Sequence, residues 1–290
     1  MSPVQKMLAQ AAKIPAMPAS VARLFAMAQD SRSTAADVER LLRSDVALSA
    51  NLLRLANSPL AGRSRRISDL RSAVTMLGLR RVCEIAASAH LLRVISRPLY
   101  GYNMTPLSFW RHCSAVGLLA ENLAKQLRLE NTSLAFTCGM LHDIGKLAIS
   151  VACEAEGIEL RVPYELSDQQ FIESERQAFN TDHVEVGDAL ARQWHLPKEI
   201  VAAARWHHAP EACPDEHLRP IVAVVHVSDF MAHAFGYGTD AGELSRVVSA
   251  QACHDLGVTV QALEVVASET LEAIQGAVSL FEGSGGEAWV

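Results

Sequence analysis

Apolar residues recur every three or four positions along most of the chain, and short polar stretches separate these runs. Val21, Leu24, Phe25 and Ala28 show this helical spacing near the start, and later segments repeat it. No segment alternates convincingly with the period of two that marks a half-buried strand. The pattern therefore predicts an all-α fold.

Capping residues indicate where individual helices begin. Thr34 is followed three residues later by Asp37, which resembles a capping box with Asp in place of Glu. Thr105 precedes Pro106, and proline suits the first turn of a helix because its missing N–H would have no partner there. The predicted core stripe of this helix contains Phe109, His112, Val116, Leu119 or Ala120, and Leu123.

The same signals predict further helices. Asp45 is expected to cap a helix with Leu48, Leu52 and Leu55 on one face, and Gly78 is expected to interrupt a later one. The remaining helices are predicted to start near Ser68, Asn131, Ser167, Thr181, Pro197, Asp215 and Thr259. The segment between residues 150 and 167 has no clear assignment.

Composition and length indicate a globular protein. The 290 residues are half apolar, enough for one large core or two smaller ones. The N-terminal residues lack the continuous apolar stretch of a targeting sequence, and the apolar run at 221–227 is too short to span a bilayer. The six cysteines form no CxxC pair and have the surroundings of buried reduced thiols. We therefore expect a cytoplasmic protein with no membrane segment.

A net charge of -6 argues against a protein whose main task is to coat nucleic acid, because that task requires a basic face. Six arginines between residues 63 and 81 could still bind a phosphate-bearing partner. The turn that contains Arg80 and Arg81 superficially resembles a helix-turn-helix. A solvated helix surface explains each of these arginines better. Nucleic acid is therefore not the expected partner.

Several histidines and aspartates fall on apolar faces or at the ends of predicted helices. Taken alone, each has an ordinary explanation as a core or capping histidine, a solvated helix end or an ion-pair partner. Together they supply five imidazoles and two carboxylates from five helices, the composition expected of a site for one or two first-row divalent ions. The set is His112, His142, Asp143, His183, His207, His208 and Asp229.

This mixed donor set suits the hydrolysis of a phosphate ester, because a carboxylate can bridge two ions and offset part of their charge. Asp143 is the natural bridge. Lys146, three residues later and near Asp143 on a helical turn, could neutralise a phosphate oxygen. Without a metal, Lys146 is better explained as the salt-bridge partner of Asp143. Asp143 and Lys146 are therefore candidate catalytic residues only if the protein is an enzyme.

Four segments resemble, in chain order, the motifs of the HD superfamily of metal-dependent phosphohydrolases. They are FWRHCSAVGLLAENLA, FTCGMLHDIGKL, DHVEVGDALARQWHLPKEIVAAARWHH and IVAVVHVSDF. Three N-terminal segments resemble the helical lobe of the HDOD family of bacterial signalling proteins: IPAMPASVARLFAMAQD, LLRSDVALSANLLRLANSPLAG and ISDLRSAVTMLGLRRVCEIA. The resemblance extends over about residues 14–235.

The resemblance implies a two-lobed helical HDOD fold. The segment SRPLYGYNMTP at 96–106 is rich in residues that break helices and is expected to separate the lobes. The N-terminal lobe is expected at about 14–98 and the HD-like bundle at about 104–235, followed by a C-terminal helical extension and flexible tail at 236–290.

The resemblance also implies roles for the candidate ligands. In HD enzymes one ion is held at the positions that match His112, His142, Asp143 and Asp229. A second site at the shared aspartate is completed by the positions that match His183, His207 and His208. The expected cofactors are one or two divalent ions of the iron, manganese, nickel or zinc type.

Two departures from the related HD-GYP cyclic-di-GMP phosphodiesterases argue against that substrate. After the His-His pair the chain reads HHAPEACPDEHLRP, without the Gly-Tyr-Pro signature. Ser108 stands where members with an added metal site carry a glutamate.

The expected function is regulation of signalling, motility or stress responses, with signalling proteins or a nucleotide as partner. The HDOD-like lobe favours this interpretation, because HD enzymes do not need it for chemistry. The alternative is a metal-dependent phosphohydrolase that acts on a nucleotide or cyclic dinucleotide, and the complete ligand set favours it.

Overall fold

The computed structural model is helical, and its described residues contain no strand, only an isolated antiparallel bridge between Leu99 and Met104. It describes residues 98–129, 132–160, 169–238 and 247–283 continuously, and N-terminal stretches at 2–10, 14, 18–30, 32–43, 49, 52–53, 57, 67, 69–79, 81–83, 85–86 and 94. The all-α prediction is confirmed. The described helices are α1 (Pro3–Gln10), α2 (Ala19–Gln29), α3 (Ala35–Arg43), α4 (Leu70–Leu77), α5 (Pro106–Gln126), α6 (Thr132–Leu141), α7 (Ile144–Glu156), α8 (Gln169–Phe179), α9 (His183–Gln193), α10 (Lys198–Trp206), α11 (Arg219–Ala234), α12 (Ala250–Leu256) and α13 (Val260–Gly283).

Helix α5 is the central element of the bundle. Thr105 Oγ1 accepts a hydrogen bond from the backbone N–H of Ser108 at 3.1 Å, and Pro106 occupies the first turn, as predicted. The helix packs against α6, α11 and α13, so most of its surface is buried. The predicted core stripe is also confirmed, because its members are all buried: Phe109, His112, Val116, Leu119, Ala120 and Leu123.

Helices α6 and α7 meet at a corner formed by residues 142–143. Two glycines allow neighbouring helices to approach this corner closely. A Cβ on Gly139 of α6 would lie 2.7 Å from the backbone of α5, and a Cβ on Gly145 of α7 would overlap the carbonyl oxygen of His183 in α9. The missing side chains therefore let α5 and α9 pack directly against the corner.

The stretch Leu134–Glu156, which includes most of α6 and all of α7, is long and apolar enough to cross a membrane by length and composition alone. Of its most apolar part, 94% is buried inside the fold. This stretch is therefore a core element, an arrangement typical of the central helices of soluble proteins.

Helix α7 covers the first part of the segment between residues 150 and 167, for which the sequence predicted no clear structure. It continues to Glu156, and Gly157 ends it with φ at +64° while its N–H donates to the carbonyl of Cys153. Residues 161–168, including the predicted start at Ser167, lie outside the described part of the chain.

Later helix starts differ little from prediction, with one exception. Helices α9 and α10 begin within two residues of the predicted Thr181 and Pro197. Helix α11 begins at Arg219, four residues after the predicted Asp215. The shift arises because Asp215 Oδ1 accepts the N–H of His217 at 3.0 Å, so this residue holds a turn before the helix.

The capping box of α3 is confirmed. The N–H of Thr34 donates to Asp37 Oδ2 at 3.1 Å, and the N–H of Asp37 donates to Thr34 Oγ1 at 3.3 Å. The predicted Asp45, Leu48 and Leu55 lie outside the described residues.

Helix α4 begins at Leu70, two residues after the predicted Ser68, and Asp69 caps it. The Asp69 carboxylate accepts the N–H of Ser72 at 2.8 Å, a bond that satisfies one of the free donors of the first turn. Gly78 ends the helix with φ at +80°, as the predicted interruption requires.

Arg81, which belongs to the predicted N-terminal lobe, contacts helices α5 and α6. Its Nη1 lies 2.8 Å from Glu121 Oε2 on α5, and its guanidinium lies 4.9 Å from the ring centre of Phe136. The Arg81 side chain is only 15% exposed. This internal contact argues against Arg81 as a nucleic-acid ligand, while Arg80 lies outside the described residues.

Helices outside the predicted domain of 14–235 help to bury its core. Helix α1 packs on α7 and α9, and Gln10 Nε2 donates to Glu156 Oε1 at 3.3 Å. Helix α13 runs along α5, where Asn122 Nδ2 donates to Thr270 Oγ1 at 2.8 Å.

Candidate metal centre

Polar side chains from several helices converge near the corner between α6 and α7. Every predicted ligand except His208 is buried. The cluster is formed by His112 on α5, His142 and Asp143 at the corner, His183 at the start of α9, His207 and His208 after α10, and Asp229 on α11.

The carboxylate of Asp143 lies between two groups of histidines. Its Oδ2 is 3.4 Å from His142 Nε2 and 3.7 Å from His112 Nε2. Its Oδ1 is 3.6 Å from both His183 Nε2 and His207 Nε2. We call the group at Oδ2, with His112, His142 and Asp229, the inner half. We call the group at Oδ1, with His183, His207 and His208, the outer half.

The inner half is enclosed by the bundle. His112 Nε2 lies 3.2 Å from Asp229 Oδ1 and 3.3 Å from His142 Nε2. His142 Nε2 lies 3.8 Å from the same Asp229 oxygen. No side chain of this half is more than 7% exposed, so its donor atoms face one another away from bulk water.

The outer half reaches the surface at His208. The Nε2 atoms of His183 and His208 are 3.1 Å apart, and the ring centres of His207 and His208 are 4.1 Å apart. His208 is partly exposed and lines a cavity of about 630 Å³ together with Arg176 and Gln177, among others. A small molecule can therefore approach the outer half from this side.

Hydrogen bonds on the far side of the rings determine which nitrogen faces the centre. In three rings Nδ1 bonds a backbone carbonyl: His112 with Tyr237 at 3.1 Å, His142 with Gly139 at 2.7 Å, and His207 with Ala203 at 2.9 Å. A carbonyl oxygen only accepts, so Nδ1 carries the proton and Nε2 of a neutral ring presents a lone pair. The facing Nε2 atoms of His112 and His142 are then both acceptors, which a bound cation would stabilise.

A buried carboxylate orients His183. Glu175 Oε2 lies 2.8 Å from His183 Nδ1 and accepts the backbone N–H of His183 at 2.7 Å. The Tyr102 hydroxyl donates to Glu175 Oε1 at 2.6 Å, and burial together with Glu175 raises the pKa of Tyr102 well above its usual value. A carboxylate behind a ligating imidazole fixes its tautomer and increases its basicity. Neither Glu175 nor Tyr102 was predicted, because no sequence spacing relates them to His183.

His233 is a further histidine at the inner half that was not predicted. Its Nε2 lies 3.5 Å from Asp229 Oδ1, and its ring centre lies 5.0 Å from that of His112. One donor atom from each of these three residues lies within 4.8 Å of the other two. Its position four residues after Asp229, on the same helix face, is the sequence signal that could have identified it.

Burial and neighbouring charges set the ionisation of two central ligands. Burial lowers the pKa of His142 to about 3, so the ring is neutral near pH 7. Burial alone would raise the pKa of Asp143, but its neighbours, of which the Lys146 ammonium contributes most, hold it well below its usual value. A neutral imidazole beside an ionised carboxylate is the protonation state that binds a cation.

Lys146 forms a buried ion pair with Asp143. Its Nζ lies 2.6 Å from Asp143 Oδ2, and the residue is only 3% exposed. This is the salt-bridge geometry that the sequence left open as the alternative. Contact between Lys146 and a phosphate stays a prediction.

The donor atoms fit a divalent ion. Among the described residues, Asp143 Oδ1 and His207 Nε2 are buried and make no hydrogen bond, and such buried atoms cost about 1–3 kcal/mol each when they have no partner. Two donors that share an ion at about 2.0–2.2 Å stand about 2.8–3.6 Å apart. Most of the donor separations above fall in or close to that range. The buried His/Asp cluster therefore supports metal binding.

Two curated relatives match parts of the chain. An uncharacterized protein from Treponema pallidum is 27% identical over 223 residues, 73% of this chain and 40% of the relative. Ribonuclease Y from Thermus thermophilus is 35% identical over 119 residues, 41% of this chain and 15% of the ribonuclease. The chain thus spans less than half the length of either protein.

A family model and a solved structure also match most of the chain. The crystal structure of an HDOD domain protein of unknown function from Geobacter sulfurreducens has a TM-score of 0.66 at 25% identity, covering 99% of this chain and 97% of that one. The model described as the HDOD domain matches residues 14–210.

Proposed function

The chain belongs to the HDOD family, and we propose that it is a cytoplasmic regulatory protein of signal transduction with a divalent-metal centre. The inner half would hold one ion and the outer half a second, with Asp143 shared between them. Iron, manganese, nickel and zinc are the ions proposed, because imidazole-rich sites favour borderline metals.

The arrangement of lone pairs around Asp143 carries the metal-binding part of this proposal. The Nδ1 atoms of His112, His142 and His207 bond carbonyl oxygens, so their Nε2 atoms point toward the Asp143 carboxylate as acceptors. Acceptors that face acceptors repel one another unless a cation lies between them. A set of core histidines built only for packing would have no need of this orientation.

Contacts between the lobes and the centre support the regulatory part. Arg81 of the N-terminal lobe pairs with Glu121 on α5, the helix that carries His112. Tyr102, in the predicted boundary between lobes, bonds Glu175, and Glu175 orients His183. A partner that moves the boundary would therefore alter the ligand geometry of the outer half.

A nucleotide is the small-molecule ligand proposed. The cavity at His208 contains the cation of Arg176 and the apolar side chain of Ile172, which suit a phosphate and a base, respectively. Arg176 Nη2 lies 2.6 Å from Asp182, and 58% of the Arg176 side chain is exposed, so it can also contact an incoming anion. An ion in the outer half would add a second attraction for phosphate.

Metal content and nucleotide binding test this function together. Elemental mass spectrometry of the purified protein is expected to find divalent metal that is absent from Asp143→Ala. Equilibrium dialysis with a panel of nucleotides is expected to show binding that His208→Ala weakens. Metal that persists in Asp143→Ala would contradict the proposal, and so would nucleotide binding that is unchanged in His208→Ala.

A second candidate function is metal-dependent phosphohydrolysis, and the similarity to Ribonuclease Y favours it. A bound divalent ion polarises a phosphoryl oxygen and makes water more acidic. Asp143 would be shared by the two halves and keep their ions close together. Lys146 would keep the carboxylate of Asp143 ionised. Phosphomonoester and phosphodiester substrates should be screened with each metal. The absence of any turnover that depends on Asp143 would rule this function out.

A further inference from the structure

We propose that His233 is an additional metal ligand of the inner half, so that an inner ion is retained more tightly than an outer ion. This inference rests on the metal binding proposed above. It concerns a residue outside the motifs that carry the resemblance to HD enzymes.

The position of His233 on α11 matches that of a ligand. Asp229 and His233 are four residues apart, so both side chains project from the same face of the helix, one turn apart. Paired ligands at this spacing are a common way for a helix to bind an ion. His233 is 3% exposed, and its Nε2 lies 3.5 Å from Asp229 Oδ1, a separation that a shared ion would give.

His233 makes the two halves unequal in their donors. With it, the inner half has three imidazoles and two carboxylates, all buried. The outer half has three imidazoles and shares one carboxylate, and His208 borders the cavity. More protein donors and less access to water both slow the loss of an ion. The inner ion is therefore structural, while the outer ion exchanges with solvent.

The alternative is that His233 only pairs with Asp229 and packs against His112. In that case His233 would contribute to the stability of the metal-free protein, and its removal would leave ion retention unchanged. The two roles differ in what happens to a bound metal, so a metal measurement separates them.

The test uses Co²⁺ as the probe. Metal-free protein is loaded with Co²⁺, desalted and dialysed against a graded series of chelator concentrations, and the retained cobalt is measured by elemental mass spectrometry. The unmodified chain is expected to lose cobalt in two steps. His233→Ala should lose the tightly held ion at a chelator concentration at least about tenfold lower. His208→Ala should change only the weakly held ion.

His254→Ala is the matched control, because His254 is an exposed histidine of α12 with 84% of its side chain accessible. Its release curve should match that of the unmodified chain. A His233→Ala curve that also matches would overturn the inference. Cobalt retention equal in Asp143→Ala and the unmodified chain would instead overturn the proposed metal centre.

X-ray absorption of His208→Ala with one equivalent of Co²⁺ keeps the inference testable if His233→Ala does not fold, because this variant leaves the outer half only two imidazoles. Three imidazoles are expected around the tightly held ion: those of His112, His142 and His233. A shell of two imidazoles would exclude His233.

Discussion

The inner and outer halves of the centre use the same donor types in different surroundings. Inner donors come from α5, the corner and α11, and α5 packs directly on α6 and α11. Outer donors lie at the start of α9 and just after α10, and His208 borders a cavity. Helix ends open locally more easily than packed helix interiors. The difference supports the proposed division of roles, in which the inner half retains an ion and the outer half responds to a ligand.

The groups that orient the rings differ in part, because His207 of the outer half is held by a backbone carbonyl, that of Ala203, whereas His183 is not. His112 and His142 are held by backbone carbonyls of Tyr237 and Gly139. His183 is held by the side chain of Glu175, which is held in turn by Tyr102 in the predicted boundary between lobes. Side chains can be displaced without unfolding a helix, so we expect His183 to be the outer ligand that a partner could adjust.

The largest effect is expected from Asp143→Ala, which removes the residue that both halves share. In metal-free protein this change breaks a buried ion pair with Lys146, and the free energy of unfolding should fall by about 3–5 kcal/mol in urea denaturation. Metal should be lost from both halves. Asp188→Ala, which breaks the surface pair with Arg192, should change stability by at most about 1 kcal/mol. Loss of metal from one half alone would show that Asp143 does not join them.

Gly145→Ala should disturb the outer half through the backbone. A methyl group there would overlap the carbonyl oxygen of His183 and force α7 and α9 apart, with a stability loss of about 1–3 kcal/mol. The weakly held ion should be lost first. Gly187→Ala is the control on the facing helix, because its new Cβ would find ordinary contacts at 3.5 Å and should be tolerated. Equal melting temperatures for the two variants would contradict the close approach of the helices.

Glu175→Gln should weaken metal binding in the outer half and leave the inner half almost unchanged. The substitution keeps the shape of the side chain and removes the charge that orients His183, so affinity for the outer ion should fall about 10–100-fold. Inner affinity should stay within about twofold. Tyr102→Phe removes one hydrogen bond to Glu175 and should have a smaller effect in the same direction. Metal titration followed by calorimetry checks both, and an equal loss in the two halves would contradict separate roles.

The smallest predicted effect is the pH dependence of stability that His142, a member of the inner half, produces. The pKa of His142 is about 3 in the folded protein and about 6.5 in the unfolded chain, so between these values the unfolded chain binds more protons. The contribution of His142 to the stability of the metal-free protein is therefore fully present above pH 6.5. As the pH drops below that value, the free energy of unfolding falls by about 1.4 kcal/mol per pH unit from this group. Urea denaturation at pH 7.5 and 5.5 measures the change. His142→Gln should reduce the change in the free energy of unfolding between these two pH values. An unaltered change would show that groups other than His142 cause the pH dependence.

Much of the fold could be predicted from the sequence because local chemistry determines it. Thr34 with Asp37, and Thr105 with Pro106, fixed two helix starts through bonds within the first turn. The turn at Asp215 was missed because a side-chain bond to His217 delays the helix, and apolar periodicity does not report such bonds.

The candidate site was only partly predictable. The seven predicted donors meet at the corner, but their ligand roles stay predictions. Glu175 and Tyr102 were missed because tertiary packing alone brings them to His183. His233 lies four residues after Asp229, a spacing typical of two ligands on one helix, but the two residues were not identified from the sequence as a ligand pair. Local spacing thus reveals donors on one helix, whereas the residues that orient them come from elsewhere in the chain.

Anomalous diffraction from crystals grown with Co²⁺ or Mn²⁺ tests the central claim most directly. The prediction is one peak between His112, His142 and Asp229 and a second between His183, His207 and His208, both beside the Asp143 carboxylate. The inner peak should persist after a chelator soak that removes the outer one. No anomalous peak beside Asp143 would contradict the metal centre, and an outer peak that outlasts the inner one would contradict the division of roles between the halves.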